Sequence, residues 1–531
     1  MTGNKGQQLT LRRVYLSTTI RLAILALLAT SAVLLVSLQT LTAYPRVHVD
    51  EPWNADRAWN RLQTGDNYTT MDIGPFPSGS GIGTPPIASG ILVWSYSFLG
   101  LGVFQTRLPS LAFGGILLLA TYSAGSLLYK PQSGLLALLL LALSWPFLEA
   151  SRRGRPDIIV AALVMAAFCF ALWGMRSGKL LPNLVAGVLI TLSVAVHQNG
   201  IVFVLTLVIV YVAFYGPGFW RRREVWAFLA GCALGSLYPG GVARLAGGIL
   251  GYVLPGQTGG SQSVVDLGTT HAPPVLALDA FELFLSLLRE VRRYRVSDHG
   301  LEVALIVASL LFLFVRRSRG DRLLLTFVGS AFALFVLLIY NKEEYYAILF
   351  YPFFLLAAAE MFVSLLGEPV GARLQRLFAT TLLVLFFFSS VMHYAVSILS
   401  HFDYDYYAIT DRLRAVIPEG ARVVARPTWW LGLTEYDYRS LYSLGYYDLD
   451  SDFDLTGVLE QVRPDVVIVD DEVRELHLVD YGEFTRGPGL YRFYKYSRQE
   501  FEDFLAQRGE ILLAFTDPWH GLIEVYGIRW D

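Results

Sequence analysis

The first 400 residues alternate long apolar runs with short polar segments. A membrane-spanning helix needs about 20 consecutive, mostly apolar residues, and about eleven runs approach that length. They lie near residues 19–43, 108–129, 133–150, 157–175, 181–197, 200–217, 225–242, 301–315, 323–340, 346–366 and 377–398. A twelfth apolar stretch, at about 86–101, is shorter and begins at Pro85-Pro86. The pattern predicts a polytopic α-helical membrane protein with about eleven spans and juxtamembrane helices.

The periodicity of the chain changes after residue 400. Short runs rich in β-branched and aromatic residues predict strands, and two amphipathic stretches predict helices. The strands are expected at 422–425, 465–469, 490–494, 511–515 and 522–526, and the helices at 404–416 and 498–507. We therefore expect a soluble α/β domain at 400–531, after an N-terminal segment at 1–18 and a transmembrane domain at 19–399.

Basic residues indicate the sidedness of the spans, because Lys and Arg in short loops accumulate on the cytoplasmic side. If the stretch at 86–101 does not cross, six consecutive basic groups fall inside, whereas if it crosses, every group after the first falls outside. The groups lie at 5–13, 130, 176–179, 221–223, 316–322 and 373–376. This favours a multi-pass protein of the cell membrane with a cytoplasmic N-terminus and an extracytoplasmic C-terminal domain.

Two long loops are then expected on the outer side, at 44–107 and 243–300. The first is rich in Gly and Pro, and a loop of this length in a compact protein is usually functional. The second contains an amphipathic stretch at 276–294 that ends in several arginines. That pattern is typical of a helix lying in the membrane interface.

Composition agrees with a membrane protein and excludes one class of partner. Charged residues make up 16% of the 531 residues, against about 25% in a soluble domain. The formal net charge of -2 excludes a nucleic-acid binder that works through bulk charge. Cys169 and Cys232 both lie in apolar runs, which favours packing over a disulfide or a metal site.

Candidate chemistry begins directly after the first span, at His48-Val49-Asp50-Glu51-Pro52. Adjacent carboxylates at a membrane boundary are costly without a partner or a role. One interpretation is a helix start, with Asp50 or Glu51 at the N-terminus and Pro52 in the first turn. The other is a general base, for which an oriented carboxylate is suited. Asp56, Asp66 and Asp72 in the same loop are expected to be solvated.

Two short outer loops carry cations against the positive-inside pattern. The loop 151–157 contains Arg152, Arg153 and Arg155 with Asp157, and the loop 341–346 contains Lys342 with Tyr345 and Tyr346. Lipid headgroups or nearby carboxylates could pair with these cations, and the tyrosines could belong to an interfacial aromatic belt. Alternatively, the arginines bind a phosphate, whose oxygens match the guanidinium group. His197, in the turn 197–200, is either turn chemistry or a further site residue.

These motifs, together with Arg107 in the segment TRLPS, carry a family resemblance. The chain resembles the GT-C glycosyltransferase superfamily over about residues 15–400, and in particular the protein O-mannosyltransferases and the bacterial aminoarabinose transferases that modify lipid A. The resemblance implies transfer of a sugar from a polyprenyl or dolichyl phosphate to an acceptor hydroxyl, with inversion at the anomeric carbon. The acceptor would be a glycolipid, a surface glycan or a protein.

By position, the resemblance implies a catalytic base at Asp50, with Glu51 as its partner. It implies a second element near the donor at Arg155 and Asp157, and contacts to the lipid phosphate at Lys342 and Tyr345. The chain departs from its relatives at Gly83-Thr84, where many of them carry His or Glu-Lys. Such relatives generally act without a required metal, although oxygen ligands at Asp50, Glu51 and Asp157 would suit Mg, Mn or Ca.

Two other functions fit part of the pattern. A transporter or flippase of lipid-linked sugars would use the same anion sites without a base, but it is typically marked by ionisable residues within its spans and by broken helices. The apolar runs here are nearly free of both features. A non-catalytic assembly subunit would not need the Asp50-Glu51 pair. The sequence therefore favours an enzyme that acts at the extracytoplasmic face of the membrane.

Overall fold

The computed structural model describes residues 4–71, 86–238, 280–339, 342–367, 373–442, 455–479 and 496–530. Within these residues the membrane part is helical. Its helices are α1 Asn4–Gln39, α2 Asp50–Thr64, α3 Pro86–Leu99, α4 Val103–Leu128, α5 Pro131–Ala142, α6 Trp145–Ala150, α7 Asp157–Ser177, α8 Leu180–Val196, α9 Gly200–Tyr215, α10 Arg223–Gly235, α11 Ala280–Arg292, α12 Gly300–Arg316, α13 Arg319–Leu338, α14 Tyr351–Gly367 and α15 Arg373–Leu399.

Each of the eleven apolar runs coincides with one of these helices, except that the run at 133–150 is divided between α5 and α6. The division falls at Ser144, because Pro146 lies at the start of the second helix, where its missing N–H is not needed. Among the described helices, six are long and apolar enough to cross a membrane: α1 (from Thr18), α4, α7, α9 (extended to Arg221), α13 and α15. Four further apolar helices, α3, α5, α8 and α14, are shorter.

Helix α3 corresponds to the stretch at 86–101. Its 14 residues extend about 21 Å at 1.5 Å per residue, which is less than the roughly 30 Å of a bilayer core. Helix α11 falls in the amphipathic stretch at 276–294. Its Phe284 and Leu288 are exposed, whereas Ser286 and Glu290 on the opposite side are buried against the protein. Both helices therefore have the form expected of juxtamembrane elements.

The C-terminal part is an α/β domain, as its period-two pattern indicates. Its helices are α16 Tyr406–Arg414, α17 Leu455–Val462 and α18 Arg498–Arg508, and its strands are β1 Arg422–Ala425, β2 Asp437–Ser440, β3 Val466–Val469, β4 Leu478–Val479, β5 Tyr496–Ser497, β6 Gly509–Asp517 and β7 Gly521–Ile528. Five strands form a mixed sheet in the order β2-β1-β3-β7-β6, with β1 parallel to its neighbours and β7 antiparallel to β3 and β6.

Four of the five expected strands and both expected helices are present. The fifth, at 490–494, lies outside the described residues, as do the segment at 75–81 and most of the loop at 243–300. Trp429 and Trp430, in a 3₁₀ turn Pro427–Gly432, are buried in the domain core. That core continues into the membrane part, where it includes Val47 and Ala55, so the domain packs against α2.

Candidate functional site

Helix α2 begins at the predicted carboxylate pair, and the two side chains have different environments. Glu51 is 1% exposed. Its Oε2 accepts hydrogen bonds from Arg107 Nε at 2.7 Å and from the Gly154 amide at 2.9 Å. Its Oε1 accepts from Arg107 Nη2 and from the His48 amide, both at 2.9 Å. Glu51 is thus a fully paired carboxylate that joins α2 to α4 and to the loop between α6 and α7.

Asp50 points away from this pair. Its side chain is 35% exposed, and its Oδ2 forms an ion pair with Arg155 Nη1. His48 Nδ1 lies 3.6 Å from the same oxygen. Among the described residues, no partner is found for Oδ1. Because an exposed and partly unpaired oxygen can receive a proton, Asp50 has the geometry of a base, whereas Glu51 does not.

The three arginines of the loop 151–157 point in different directions. Arg152 is fully buried and donates to the Leu148 carbonyl at 3.2 Å and to the Tyr394 hydroxyl of α15. Arg155 donates from Nε to Asp157 Oδ2 at 2.8 Å, in addition to its pair with Asp50. Both guanidinium groups are therefore committed to protein partners.

Arg153 is less completely paired. Its Nη2 lies 3.5 Å from Glu149 Oε2, and its guanidinium carbon lies 4.8 Å from the centre of the Tyr345 ring. Its Nε and Nη1 are buried, and neither donates a hydrogen bond within the described part of the chain. Buried N–H groups without acceptors cost about 1–3 kcal/mol each. Arg153 is therefore the arginine of this loop best suited to bind an anion.

Tyr345 and His48 complete the site. The His48 Nδ1 accepts a hydrogen bond from the Asp50 amide at 3.3 Å, so the neutral ring carries its proton on Nε2. Nε2 lies 2.8 Å from the Tyr345 hydroxyl. Burial, together with Arg153 and Arg155, lowers the pKa of His48 well below its usual value. Burial raises the pKa of Tyr345, so both groups are neutral near pH 7.

A first cleft opens beside these residues and spans about 290 Å³, including space that is open to solvent. Its lining includes Trp145, Glu149, Arg153, Arg155, Glu344 and Tyr345. A second cleft of about 330 Å³ lies between α2, α3 and α4, and its lining includes Asn54, Ser89, Thr106, Gly154 and Arg155. Arg155, which binds Asp50, lines both clefts.

Lys342 does not join this group. Its side chain is 1% exposed, and its Nζ donates to the carbonyls of Phe335 at 2.9 Å and Ile339 at 2.6 Å, at the end of α13. Burial lowers the pKa of Lys342 to about 8. The Lys342 ammonium group therefore contacts carbonyls at the end of α13, and its contact with a donor phosphate stays a prediction.

The remaining sequence candidates have surrounding roles. Arg107 is buried with Glu51, as described above. Tyr346 is 5% exposed, and its ring centre lies 5.7 Å from that of His197. Burial lowers the pKa of His197, on which Asp157 and Arg155 also act. These residues lie behind the site and support its walls.

Two residues of the first cleft escaped the sequence reasoning. Glu149 contributes a carboxylate, and Trp145 contributes a ring that is stacked on His299 at 4.9 Å. Glu149 precedes Arg153 by four residues, the spacing of paired side chains on a helix, and this signal could have identified it. Asp56, expected to be solvated, is 1% exposed instead, because it accepts four hydrogen bonds from residues 69–71.

The three carboxylates considered as metal ligands do not converge. Asp50 and Asp157 are both bound to Arg155, and Glu51 is bound to Arg107. In the described ranges, no group of three or more His, Cys, Asp or Glu side chains is placed to hold a metal ion. These three carboxylates are therefore not arranged to share a divalent cation.

Comparison with known proteins identifies the fold. Residues 84–239 match the family model of dolichyl-phosphate-mannose-protein mannosyltransferase. The chain is also similar to the oligosaccharyltransferase of Archaeoglobus fulgidus, solved with a tethered acceptor peptide, at 12% identity over 96% of this chain and 74% of that one, with a TM-score of 0.58. These proteins are GT-C glycosyltransferases. The chain has the GT-C fold.

A second neighbour is ArnT from Cupriavidus metallidurans. Its structure bound to undecaprenyl phosphate is 13% identical over 94% of this chain and 97% of that one, with a TM-score of 0.50, and the apo structure gives a TM-score of 0.53. No curated protein matches the chain by sequence. The fold that the GT-C resemblance predicts is confirmed, and the α/β domain lies at the C-terminal end of the chain.

Proposed function

We propose that the chain is an inverting glycosyltransferase that moves a sugar from a polyprenyl-phosphate donor to an acceptor hydroxyl at the outer membrane surface. The observation that carries this proposal is the pairing of two complementary features. In the first cleft, Arg153 has buried N–H groups that lack acceptors within the described residues. Asp50 has a partly exposed carboxylate that is paired with Arg155, and Arg155 lines the same cleft. ArnT, a neighbour in fold, was solved with a lipid phosphate bound.

The donor phosphate would lie in the first cleft against Arg153. Phosphate oxygens are strong acceptors for guanidinium N–H groups, and binding would satisfy the donors that burial leaves unpaired. Tyr345 would donate its own hydroxyl proton to a phosphate oxygen, because its oxygen already accepts the proton of His48 Nε2. Both contacts strengthen as negative charge gathers on the leaving phosphate, which lowers the barrier.

The acceptor hydroxyl would reach Asp50 from the second cleft. The hydroxyl oxygen forms a bond to the anomeric carbon as its proton passes to Asp50 Oδ1, and the bond from that carbon to the phosphate oxygen breaks with its electron pair remaining on the phosphate. Attack from the side opposite the phosphate inverts the anomeric carbon. Arg155 pairs with Asp50 and, because it lines both clefts, fixes the carboxylate between donor and acceptor.

The two other partners considered for the phosphate are less suited. Lys342 is committed to the end of α13, and Arg152 is committed to Leu148 and Tyr394. We therefore assign the phosphate contact to Arg153 and Tyr345, and the positioning of the base to Arg155 and Asp157.

Mass spectrometry of lipid-linked sugars and surface glycans, with and without the protein, tests the proposal and identifies donor and acceptor. A polyprenyl-phosphate sugar should accumulate, and one glycan should lose a residue, when the protein is absent. The variant Asp50→Asn should reproduce that loss while still binding undecaprenyl phosphate. Asp66→Asn, at an exposed carboxylate of the same outer loop, is the matched control and should transfer normally. Near-normal transfer by Asp50→Asn would exclude Asp50 as the base.

A further inference from the structure

The segment that leads into Asp50 is held by the C-terminal domain. The Arg46 guanidinium donates from Nη1 to the Trp519 carbonyl at 2.8 Å, and its Nη2 lies 3.5 Å from Glu472 Oε2. Val47 is 2% exposed and belongs to the same apolar core as Trp429. Tyr404, which is 4% exposed, belongs to that core as well. Residues three and four positions before Asp50 are therefore bound to the domain, Arg46 through polar contacts and Val47 through apolar packing.

The contacts on the domain side are themselves held by other residues. Glu472 forms an ion pair with Arg426, whose Nη1 lies 2.8 Å from Oε2, and Arg426 is 2% exposed. Arg426 also donates to Asp470 at 3.1 Å and to the Thr428 hydroxyl at 2.7 Å. The Tyr404 hydroxyl lies 3.3 Å from His520 Nε2. A buried polar cluster thus holds the Glu472 carboxylate that faces Arg46.

The domain reaches α2 by a second route. The Ser440 amide at the edge of β2 donates to the Met71 carbonyl at 3.0 Å, and Arg439 donates to the Thr70 carbonyl at 3.2 Å. Residues 69–71 in turn donate four hydrogen bonds to Asp56, on the second turn of α2. On the membrane side, Glu51 is held by Arg107 and Gly154. The base thus lies between fixed points that belong to two different parts of the chain.

We propose that the C-terminal domain is a positioning element of the catalytic centre, in which the Arg426-Glu472-Arg46 chain and the apolar core around Val47 hold residues 46–49 so that the Asp50 carboxylate faces Arg155 and the acceptor. This proposal rests on the glycosyltransferase function proposed above. It predicts that loosening the domain contact lowers the rate of transfer and leaves donor binding unchanged, because the arginine that binds the donor phosphate, Arg153, lies on a separate loop.

The test uses the full-length protein in detergent, with hydrogen exchange of the amides at 46–51 read by mass spectrometry. Arg46→Gln removes the hydrogen bond to the Trp519 carbonyl and the ion pair with Glu472, and it should speed exchange there about fivefold, the effect of one hydrogen bond. Arg529→Gln is the matched control, because among the described residues the Arg529 side chain pairs with Glu510 of the same domain. Exchange at 46–51 that is equal in the two variants would overturn the proposal.

Kinetics provide the second readout. With the donor identified as above, Arg46→Gln should lower kcat about tenfold while the Kd for undecaprenyl phosphate stays within twofold. The Arg46 side chain is 46% exposed, so the variant should still fold, and Arg46→Lys should restore most of the rate. Faster exchange with an unchanged kcat would refute the positioning role. Absence of transfer by the wild-type protein would refute the proposed function instead, and the exchange experiment would still decide whether the domain holds the segment.

Discussion

Exchange of each carboxylate in the Asp50-Glu51 pair should separate stability from chemistry. Glu51 accepts four hydrogen bonds, two of them from Arg107, and both side chains are fully buried. Removing one partner from a buried ion pair costs about 3–5 kcal/mol. Glu51→Gln, whose amide group also presents N–H bonds to the donors of Arg107, should therefore lose about 4 kcal/mol of unfolding free energy.

Asp50→Asn should behave differently. The Asp50 side chain is partly exposed, and Arg155 keeps its hydrogen bond to Asp157 when Asp50 is neutralised. The Arg155 side chain is 9% exposed, but it retains the Asp157 carboxylate as a partner, so the loss of this half-exposed pair should cost about 1 kcal/mol. Transfer, in contrast, should fall at least 100-fold, since a general base contributes roughly 10²–10⁴ to the rate.

Thermal unfolding followed by tryptophan fluorescence, combined with transfer kinetics, measures both effects. For a chain of this size, 4 kcal/mol corresponds to about 4 °C in Tm, so Glu51→Gln should unfold about 4 °C lower and Asp50→Asn within about 1 °C of the wild type. The double variant Glu51→Gln/Arg107→Met should be more stable than Glu51→Gln, because it removes the unpaired charge. Equal Tm losses in the two single variants, or additive losses in the double variant, would refute the reasoning.

Three further predictions concern the surrounding residues. Arg153→Gln should weaken undecaprenyl phosphate binding at least tenfold, the effect of a hydrogen bond to a charged group, whereas Lys342→Met should change the Kd less than twofold; the opposite order would place the phosphate at Lys342. Gly154→Ala should lower both Tm and transfer, because the added Cβ would lie 2.5 Å from Thr106 Cγ2 and 3.1 Å from its carbonyl oxygen; a wild-type Tm would show that the loop adapts freely. The pKa of His48 is lowered, first by burial and then by Arg153 and Arg155. The unfolded chain therefore binds a proton at His48 near pH 6.5, whereas the folded chain does not, so the free energy of unfolding is full above that pH and decreases as the pH falls. The Tm of wild type should therefore fall more steeply between pH 7.5 and 5 than that of His48→Gln, and parallel curves would contradict this.

The apolar pattern was sufficient to place the membrane helices, because burial in lipid requires long uninterrupted runs. It was not sufficient to show where one run divides. The break at Ser144 depends on Pro146 beginning a new helix, and it directs Glu149 and the loop 151–157 towards the cleft. Alternation of apolar and polar residues predicted most strands of the C-terminal domain, but it did not predict β2. Strand β2 has only four residues and no apolar run, because Asp437 and Arg439 form an ion pair within it while its backbone pairs with β1.

The sequence indicated which residue types form the candidate site, but it did not indicate where their side chains point. Asp50 and Glu51 are adjacent and identical in charge, yet only the folded chain shows that Glu51 meets Arg107, which is 56 residues away. Arg152, Arg153 and Arg155 could not be ranked from spacing, because their partners lie on α6, α7, α15 and α2. The sequence also did not show that the Lys342 ammonium group donates to carbonyls at the end of α13.

The apolar core that Val47 and Ala55 share with Trp429 bears on how such chains can be recombined. A chimera that exchanges only residues 400–531 for the corresponding part of a relative would leave these side chains without their matching surface, and would misalign the turn that carries Asp50. A functional exchange has to carry residues 46–71 together with the domain. The unit that such an exchange has to preserve therefore consists of two segments that are distant in sequence and that meet around Asp50.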